Sequence, residues 1–280
     1  MKKSPTTIDE LLSCSFIILD KPRGPSTHEV TTYIRKLLGV KKTGQMGTLD
    51  PKASGVLVIG IGKAVRLLRF VDMKEKTYVG VMRTRIAPKN MAELQAEFDK
   101  HTGSIRQMPP RESAVAKRRR TRKVYELRVR DIINNTALFE SRVEAGTYIR
   151  VLCTEVGKRF GMGKMIELRR TSVGSFTESD AIRLPDLVDA AYKFKMRKDA
   201  SELRRILHPA QEMVHLPRLY VADAAVDAIG RGALLAPSGV ADAEAGIVPG
   251  AWVQLMAKDG SLLAIGRKES DLVKPKIVLR

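Results

Sequence analysis

Three short islands of this sequence carry side chains that can do chemistry, and each holds one reactive group on a piece of chain built to keep it still. The first is Gly47-Thr48-Leu49-Asp50-Pro51-Lys52-Ala53-Ser54-Gly55. Pro51 fixes its own φ and drives Asp50 away from helical geometry, so the carboxylate sits on a turn. Gly47 and Gly55 permit unusual dihedrals and close backbone approach on either side. The apolar run Val56-Leu57-Val58-Ile59 follows at once and reads as a buried strand. An acid at the mouth of a rigid element is where functional loop residues are often placed, although Asp-Pro is also an ordinary turn starter. The second island, Lys76-Thr77-Tyr78, heads a strand. Tyr78 offers a flat face on which a nucleobase can stack and a hydroxyl that can hydrogen-bond; a strand tyrosine without that role is core. The third island is Glu144-Ala145-Gly146-Thr147-Tyr148-Ile149-Arg150. Here a strand ends in glycine and a helix begins with Arg150 in its first turn, where a cation opposes the positive end of the dipole. Such an arginine either has a carboxylate partner elsewhere in the fold or is a solvated surface group.

The elements that position these islands follow from periodicity and punctuation. Residues 15–19 read as a strand that ends in the turn-forming Asp20-Lys21-Pro22-Arg23-Gly24-Pro25. Ser26 with Glu29 makes a capping box; Val30, Ile34 and Leu37 continue at helical spacing, and Gly39 closes that helix. A helix is expected over 63–73 with Val65, Leu68 and Val71 on one face, a strand over 77–82, and a helix capped by Asn90 and Glu93 that ends at Gly103. Residues 104–123 hold Pro109-Pro110 and eight basic residues against one acid, and read as an exposed basic arm. Tyr125, Leu127 and Val129 alternate with charged residues as a half-buried strand, and Ala137, Phe139, Ser141 and Val143 continue the pattern beyond an Asn134-Asn135 turn. A helix over 148–160, an extended stretch over 165–176 and helices over 184–195 and 200–207 complete this part. His208-Pro209 and Leu216-Pro217 mark a boundary, beyond which short apolar alternations between glycines indicate a small β-rich module.

Composition narrows the class of partner. The chain has 280 residues, with 50 Lys and Arg against 31 Asp and Glu, a net charge of +19. Such a field attracts polyanions, and nucleic acid is the leading partner. No apolar run approaches the ~20 residues of a spanning helix, so no membrane role is expected. Cys14 and Cys153 have no CxxC spacing, and His28, His101, His208 and His215 make no ligand set, so neither a metal nor a disulfide framework is expected. The start of the chain lacks the apolar core of a signal peptide, and a reducing, intracellular compartment is expected.

In order and rough spacing, Asp20-Lys21-Pro22-Arg23-Gly24, the Asp50 turn, Lys76-Thr77-Tyr78, Ala145 to Arg150, and Leu168-Arg169-Arg170-Thr171 resemble the motifs of TruB-type pseudouridine synthases. Pro109-Pro110, Ser113-Ala114-Val115 and residues 117–123 resemble the archaeal and eukaryotic branch that includes dyskerin, and the tail from Leu216 to Ser270 resembles a PUA domain. The resemblance implies an α+β pseudouridine synthase fold, a long, bent, mainly antiparallel sheet flanked by helices, with a small β-rich PUA domain. Its domains would be an N-terminal extension (1–14), a catalytic domain (15–208) and an RNA-binding PUA domain (209–280).

The implied reaction converts a uridine of folded RNA to pseudouridine with no cofactor. Asp50 matches the family's catalytic aspartate, acting on the sugar as nucleophile or as base. Arg150 would be the cation beside it. Tyr78 would stack on the flipped uracil, and Leu168 would wall the pocket. Tyr148 lies in the same motif as Arg150. Lys21 and Pro22 would support the loop bearing Tyr78. Gln45 stands in Gly44-Gln45-Met46 where the family has Gly-His, which puts pre-organisation of the RNA in doubt rather than the bond-making; Pro25-Ser26-Thr27 inverts the usual Thr-Ser order and alters only a cap. Arg118, Arg119 and Arg120 either grip phosphates or form a solvated face. The implied partners are tRNA, through its T-loop uridine, or an H/ACA guide RNA with its rRNA target and small H/ACA-type proteins. With no Lys/Arg-rich tail, a prokaryotic, archaeal-type cytoplasm is expected. A non-catalytic RNA-binding scaffold and a basic ribosome-associated protein are the alternatives; the second leaves the spacing of the three islands unexplained.

Overall fold

The computed structural model describes residues 7–110 and 116–279. Glu112, the Ser113-Ala114-Val115 motif and the first six residues of the expected N-terminal extension lie outside them. Helix α1 (Ile8–Ser13) leads into strand β1 (Cys14–Lys21). The Ser26–Glu29 capping box forms as expected and opens α2 (Thr27–Leu38), which Gly39 ends in the left-handed conformation. Strands β2 (Thr43–Gln45) and β3 (Ala53–Gly62) flank the Asp50 turn, and β4 (Glu75–Thr84) carries Tyr78. After helix α3 (Met91–Asp99) come β5 (Gly103–Gln107), β6 (Arg120–Ile133) and β7 (Thr136–Glu144), then helix α4 (Ile149–Gly157) and β8 (Gly163–Val173). These strands join one mixed, mainly antiparallel sheet in the order β1-β3-β8-β4-β7-β6-β5. Helices flank it, and β2 hangs on β3.

The one parallel contact inside this path matters most. β3 runs beside β8 with Ala53 opposite Leu168 and Gly55 opposite Arg170. β4 flanks the other side of β8 in antiparallel register, with Tyr78 opposite Arg170 and Gly80 opposite Leu168. The sheet therefore brings the Asp50 island, the Tyr78 island and the Leu168 segment together at its centre from three distant parts of the chain.

Four local expectations change. Residues 63–70 form a 3₁₀ helix rather than an α-helix (Lys63–Phe70). Gly62 supplies no side-chain cap there, and the tighter winding aligns Ala64 with Leu67, three residues on, both fully buried. The basic arm is not exposed along its length: β5 and the start of β6 pair, with Ile105 opposite Arg122 and Gln107 opposite Arg120. The charges concealed a period of two, because arginine stems cover apolar surface while their heads turn outward. Tyr125 is displaced from its expected face by a bulge opposite β7 between Val124 and Glu126. Val124 takes the buried place, and Arg142 and Lys123 sit 4.9 and 5.2 Å from the tyrosine ring centre. Gly103 opens β5 rather than only closing α3.

His208–Pro209 pairs with Ser15 and Phe16 of β1, and the helix Ala210–Met213 packs beside it. A second sheet starts at Arg218. Its strands lie in the order Val240–Ala243, Arg218–Val221, Trp252–Met256, Leu262–Glu269, Leu272–Val278. The 3₁₀ helix leaving β3 ties the two sheets together. Lys63 Nζ donates to Leu279 O (2.6 Å), Arg66 Nη1 donates to Val278 O (2.9 Å), and Phe70 packs on Trp252 with ring centres 5.0 Å apart. No helix among the described residues is long and apolar enough to cross a membrane.

Candidate active site

The Asp50 turn is pinned from both sides. Leu49 is buried, and Thr27 at the start of α2 both donates to Leu49 O (2.7 Å) and accepts from Leu49 N–H (3.0 Å). Beyond the acid, Ala53 N–H closes the turn on Asp50 O (2.9 Å) and Gly24 N–H reaches Pro51 O (2.8 Å). With its neighbours fixed, the Asp50 side chain projects outward, 50% exposed. Its partner there is Arg150: the guanidinium Nη2 donates to the Asp50 carboxylate across a hundred residues of sequence. The cation set against the helix dipole thus has its carboxylate.

Arg150 is held by α4, which buries Ile149, Leu152, Cys153 and Val156. No side chain caps this helix from within it. Gln107 of β5 does part of that work, accepting from Tyr148 N–H (3.0 Å) and donating to Tyr148 O (3.2 Å). Tyr148 is half-buried at the helix start. Arg120 stands opposite Gln107 on β6, and its Nε is buried without a partner; Arg118 and Arg119 are exposed on the segment before it. The three arginines are therefore not one surface patch.

Tyr78 is 7% exposed and shares a cluster with Leu49, Ala53 and Ile149, against which Leu168 packs. Gly80 makes that packing possible: a Cβ there would stand 2.4 Å from the Phe139 ring and 3.1 Å from Leu168. Gln45 lies half-buried on β2 opposite Ile59, two residues before Gly47. Asp50, Arg150, Tyr78 and Leu168 are thus brought together, with Tyr148 at the margin.

Lys21 has a different task from the one expected. Fully buried, it donates to Ala53 O (2.9 Å) and Pro22 O (2.8 Å), so it holds the exit of the Asp50 turn rather than the segment bearing Tyr78. Tyr78 sits in mid-strand and needs no loop support. Burial pulls the Lys21 ammonium below its ordinary pKa, Arg170 adds to the shift, and Asp50 opposes it. Lys76, 5% exposed, is pushed down to about 8 by burial and then by Arg170, and donates to Met73 O (3.0 Å). Three supporting residues escape sequence reasoning: Thr27, Gln107 and Arg170. Arg170 alone left a signal, a second arginine in an extended segment whose neighbour Arg169 takes the other face and pairs with Asp20 through Nη1 (3.0 Å). Among the described residues no group of three or more His, Cys, Asp or Glu gathers as metal ligands.

Comparison with known proteins now adds to this geometry. Residues 35–149 match the N-terminal domain of the TruB family pseudouridylate synthases, and residues 150–215 match the C-terminal domain of tRNA pseudouridylate synthase B. The chain belongs to the TruB family of pseudouridylate synthases. Residues 217–271 of this TruB-family chain match the PUA domain. It is 41% identical over 94% of its length to a probable tRNA pseudouridine synthase B of Pyrobaculum arsenaticum, covering 80% of that protein. It is 38% identical over 93% of its length to a probable tRNA pseudouridine synthase B of Methanocaldococcus jannaschii, covering 78%. Among solved structures it superposes along its whole length on 91% of a chain in a Cbf5-Nop10-Gar1 complex, with a TM-score of 0.81 at 36% identity. A second match, with a TM-score of 0.82 at 34% identity, covers 92% of a chain in an H/ACA RNP bound to a substrate RNA containing 2′-deoxyuridine. The TruB-family fold and its dyskerin-like branch agree with the resemblance drawn from the motifs.

Proposed function

We propose that this protein isomerises uridine to pseudouridine in folded RNA, with Asp50 as the acting carboxylate and tRNA as its substrate. The observation that carries the reading is the Asp50–Arg150 pair, set on a pinned turn beside Tyr78 and Leu168. When the N-glycosidic bond breaks, positive character develops on the sugar, and a carboxylate stabilises or captures it. Asp50 adds to the sugar or removes a sugar proton. The freed uracil turns over, a C1′–C5 bond replaces C1′–N1, the C5 proton leaves with help from the Tyr78 hydroxyl, and N1 regains a proton. Arg150 orients the carboxylate, Tyr78 stacks on the uracil, and Leu168 walls the pocket. Lys21 steadies the turn, Tyr148 borders the pocket, and Gln45 borders the space a flipped base vacates. The target base must leave its stack, at a cost of a few kcal/mol. Arg118 and Arg119 grip phosphates, and the small sheet from Arg218 onward holds RNA away from the reacting uridine. Two free thiols without a disulfide suit a reducing cytoplasm.

A second reading, catalysis directed by an H/ACA guide RNA with small protein partners, is favoured by the full-length likeness to Cbf5 complexes. The test is tritium release from uridine labelled at C5. Release from an unmodified tRNA transcript supports the first reading, and release only with guide RNA and partner proteins supports the second. No release under either condition refutes the isomerase reading and leaves the scaffold.

A further inference from the structure

Among the described residues the largest fully buried side chain is a charged one. Arg170 on β8 is 1% exposed, cannot shed its proton, and has no ion pair among the described residues. A charge buried in this way is costly unless its geometry is fully used. Arg170 Nε donates to Val56 O (2.7 Å) and Nη1 donates to Gly47 O (2.8 Å). Those carbonyls flank the Gly47–Gly55 island that carries Asp50: Gly47 opens it, and Val56 follows it within β3. The guanidinium lies against the turn itself: a Cβ on Gly47, whose φ is +78°, would stand 3.5 Å from Arg170 Nη1. The Lys76 stem abuts Gly47 as well, yet its ammonium bonds to Met73 O and not to the turn.

The third nitrogen points elsewhere. Nη2 is buried with no hydrogen bond of good geometry. Tyr78 stands directly opposite Arg170 across the strand pair, so the two side chains share one face of the sheet, and its hydroxyl interacts with the guanidinium. One planar guanidinium therefore bonds to both flanks of the Asp50 island, on the face of the sheet that carries the tyrosine. We propose that Arg170 is the positioning residue that fixes Asp50 relative to Tyr78, so that loss of its fork geometry lowers the rate of isomerisation while leaving RNA affinity intact. Lysine does not reproduce it, because one ammonium nitrogen cannot stand at the positions of both Nε and Nη1. Since Arg170 is inaccessible, it touches no RNA, and its effect reaches substrate only through the two residues it holds. A displacement of about 1 Å at such a site costs on the order of 100-fold in rate.

The inference rests on the isomerase reading, and wild-type tritium release in the same assay tests that reading separately. Arg170→Lys and Arg170→Met are compared with wild type in the full-length chain for single-turnover release at saturating RNA, RNA dissociation constant and melting temperature. Methionine is the second variant because apolar replacement of a buried charge is often tolerated by the fold. Ile34→Ala, a truncation in a different cluster of the core, serves as a control for lost stability. The expected result is a rate lowered by about 100-fold in both Arg170 variants, with affinity within about threefold of wild type and a much smaller rate effect in Ile34→Ala at a similar melting loss. A rate within about threefold of wild type overturns the proposal, as does a rate loss no larger than that of the control or an affinity loss as large as the rate loss.

Discussion

Asp50→Asn separates stability from catalysis. The substitution keeps the shape of the side chain and removes its charge. The turn keeps its main-chain bonds, since Ala53 N–H reaches the Asp50 carbonyl and not its carboxylate. What is lost is the ion pair to Arg150, whose two side chains are 38% and 50% exposed. Exposed pairs of this kind contribute about 0–1 kcal/mol. The buried Lys21 also loses its one opposing charge on the turn, but its two carbonyl partners stay. The expected destabilisation is therefore about 1 kcal/mol or less, roughly 2–4 °C in melting temperature for a chain of this size. Activity should fall by at least about 10⁴-fold, the upper end for a positioned acid or base and the lower end for a lost nucleophile. That corresponds to more than about 5 kcal/mol of transition-state stabilisation. Thermal melting, RNA binding and single-turnover tritium release on the same preparation decide the matter. Release within about tenfold of wild type removes Asp50 from the chemistry. A melting loss several times larger than expected makes the carboxylate a structural cap, and the catalytic argument from its exposure fails.

Two further perturbations probe the surroundings of the site. Lys76, with its pKa pushed down to about 8 from 10.5, is charged in both folded and unfolded states below about pH 8, so the fold bears the full cost of burying it there. As pH rises from about 8 to 10.5 the folded state loses that proton first, the unfolded chain binds more protons, and the contribution of the group to stability rises. Denaturant unfolding of wild type and Lys76→Met at about pH 7 and about pH 10 should show wild type gaining on the variant by up to about 3 kcal/mol; a pH-independent difference refutes the assignment. In the basic segment, Arg118→Ala with Arg119→Ala should weaken RNA binding and lower the slope of log K against log salt by about 1.5, the share of two phosphate contacts. The release rate at saturating RNA should stay unchanged, and an unchanged slope would make the two arginines a solvated face. Arg120 is left out because it opens β6 opposite Gln107, where its loss disturbs the ladder as well.

What the sequence revealed and what it hid divide along one physical line. Features encoded within a few residues were legible: the Ser26–Glu29 capping box, the proline-fixed turn at Asp50, the glycine that stops α2. Arg150 is the instructive case. Its conflict with the helix dipole is local, so a carboxylate partner could be read as one of two alternatives, and the fold supplied Asp50. Features that depend on which strand lies beside which were not legible. Lys21 was expected to support the segment bearing Tyr78, because nothing near it in sequence says that β3 will bring Ala53 O within reach of its ammonium. Gln107 binds the main chain of Tyr148 through a contact set by the β5–β6 ladder, and the charges on that ladder disguised it as an arm. Tyr125 fits its alternation until a bulge across the strand pair shifts the count by one.

The distribution of charge around Asp50 gives this division a functional meaning. Lys21, Lys76 and Arg170 are 0%, 5% and 1% exposed, and among the described residues none has an ion pair. Their hydrogen bonds of good geometry go to main-chain carbonyls, and those of Lys21 and Arg170 belong to the turn or adjoin it: Pro22, Ala53, Gly47 and Val56. Folding therefore carries the cost of burying three positive charges, and secures two of them, Lys21 and Arg170, by the backbone at and beside the turn that presents the acid. Salt screens such buried groups far less than surface charges. Asp50 and Arg150, in contrast, remain half in water, where two unit charges 4 Å apart interact by only about 1 kcal/mol; at the effective dielectric of a covered surface the same pair is worth about 4 kcal/mol. The free protein holds the field ready but not the dry surroundings in which it acts strongly. On the proposed isomerase reading, bound RNA supplies those surroundings when a flipped base covers the pair, so the strongest electrostatics arise only when there is a uridine to act upon.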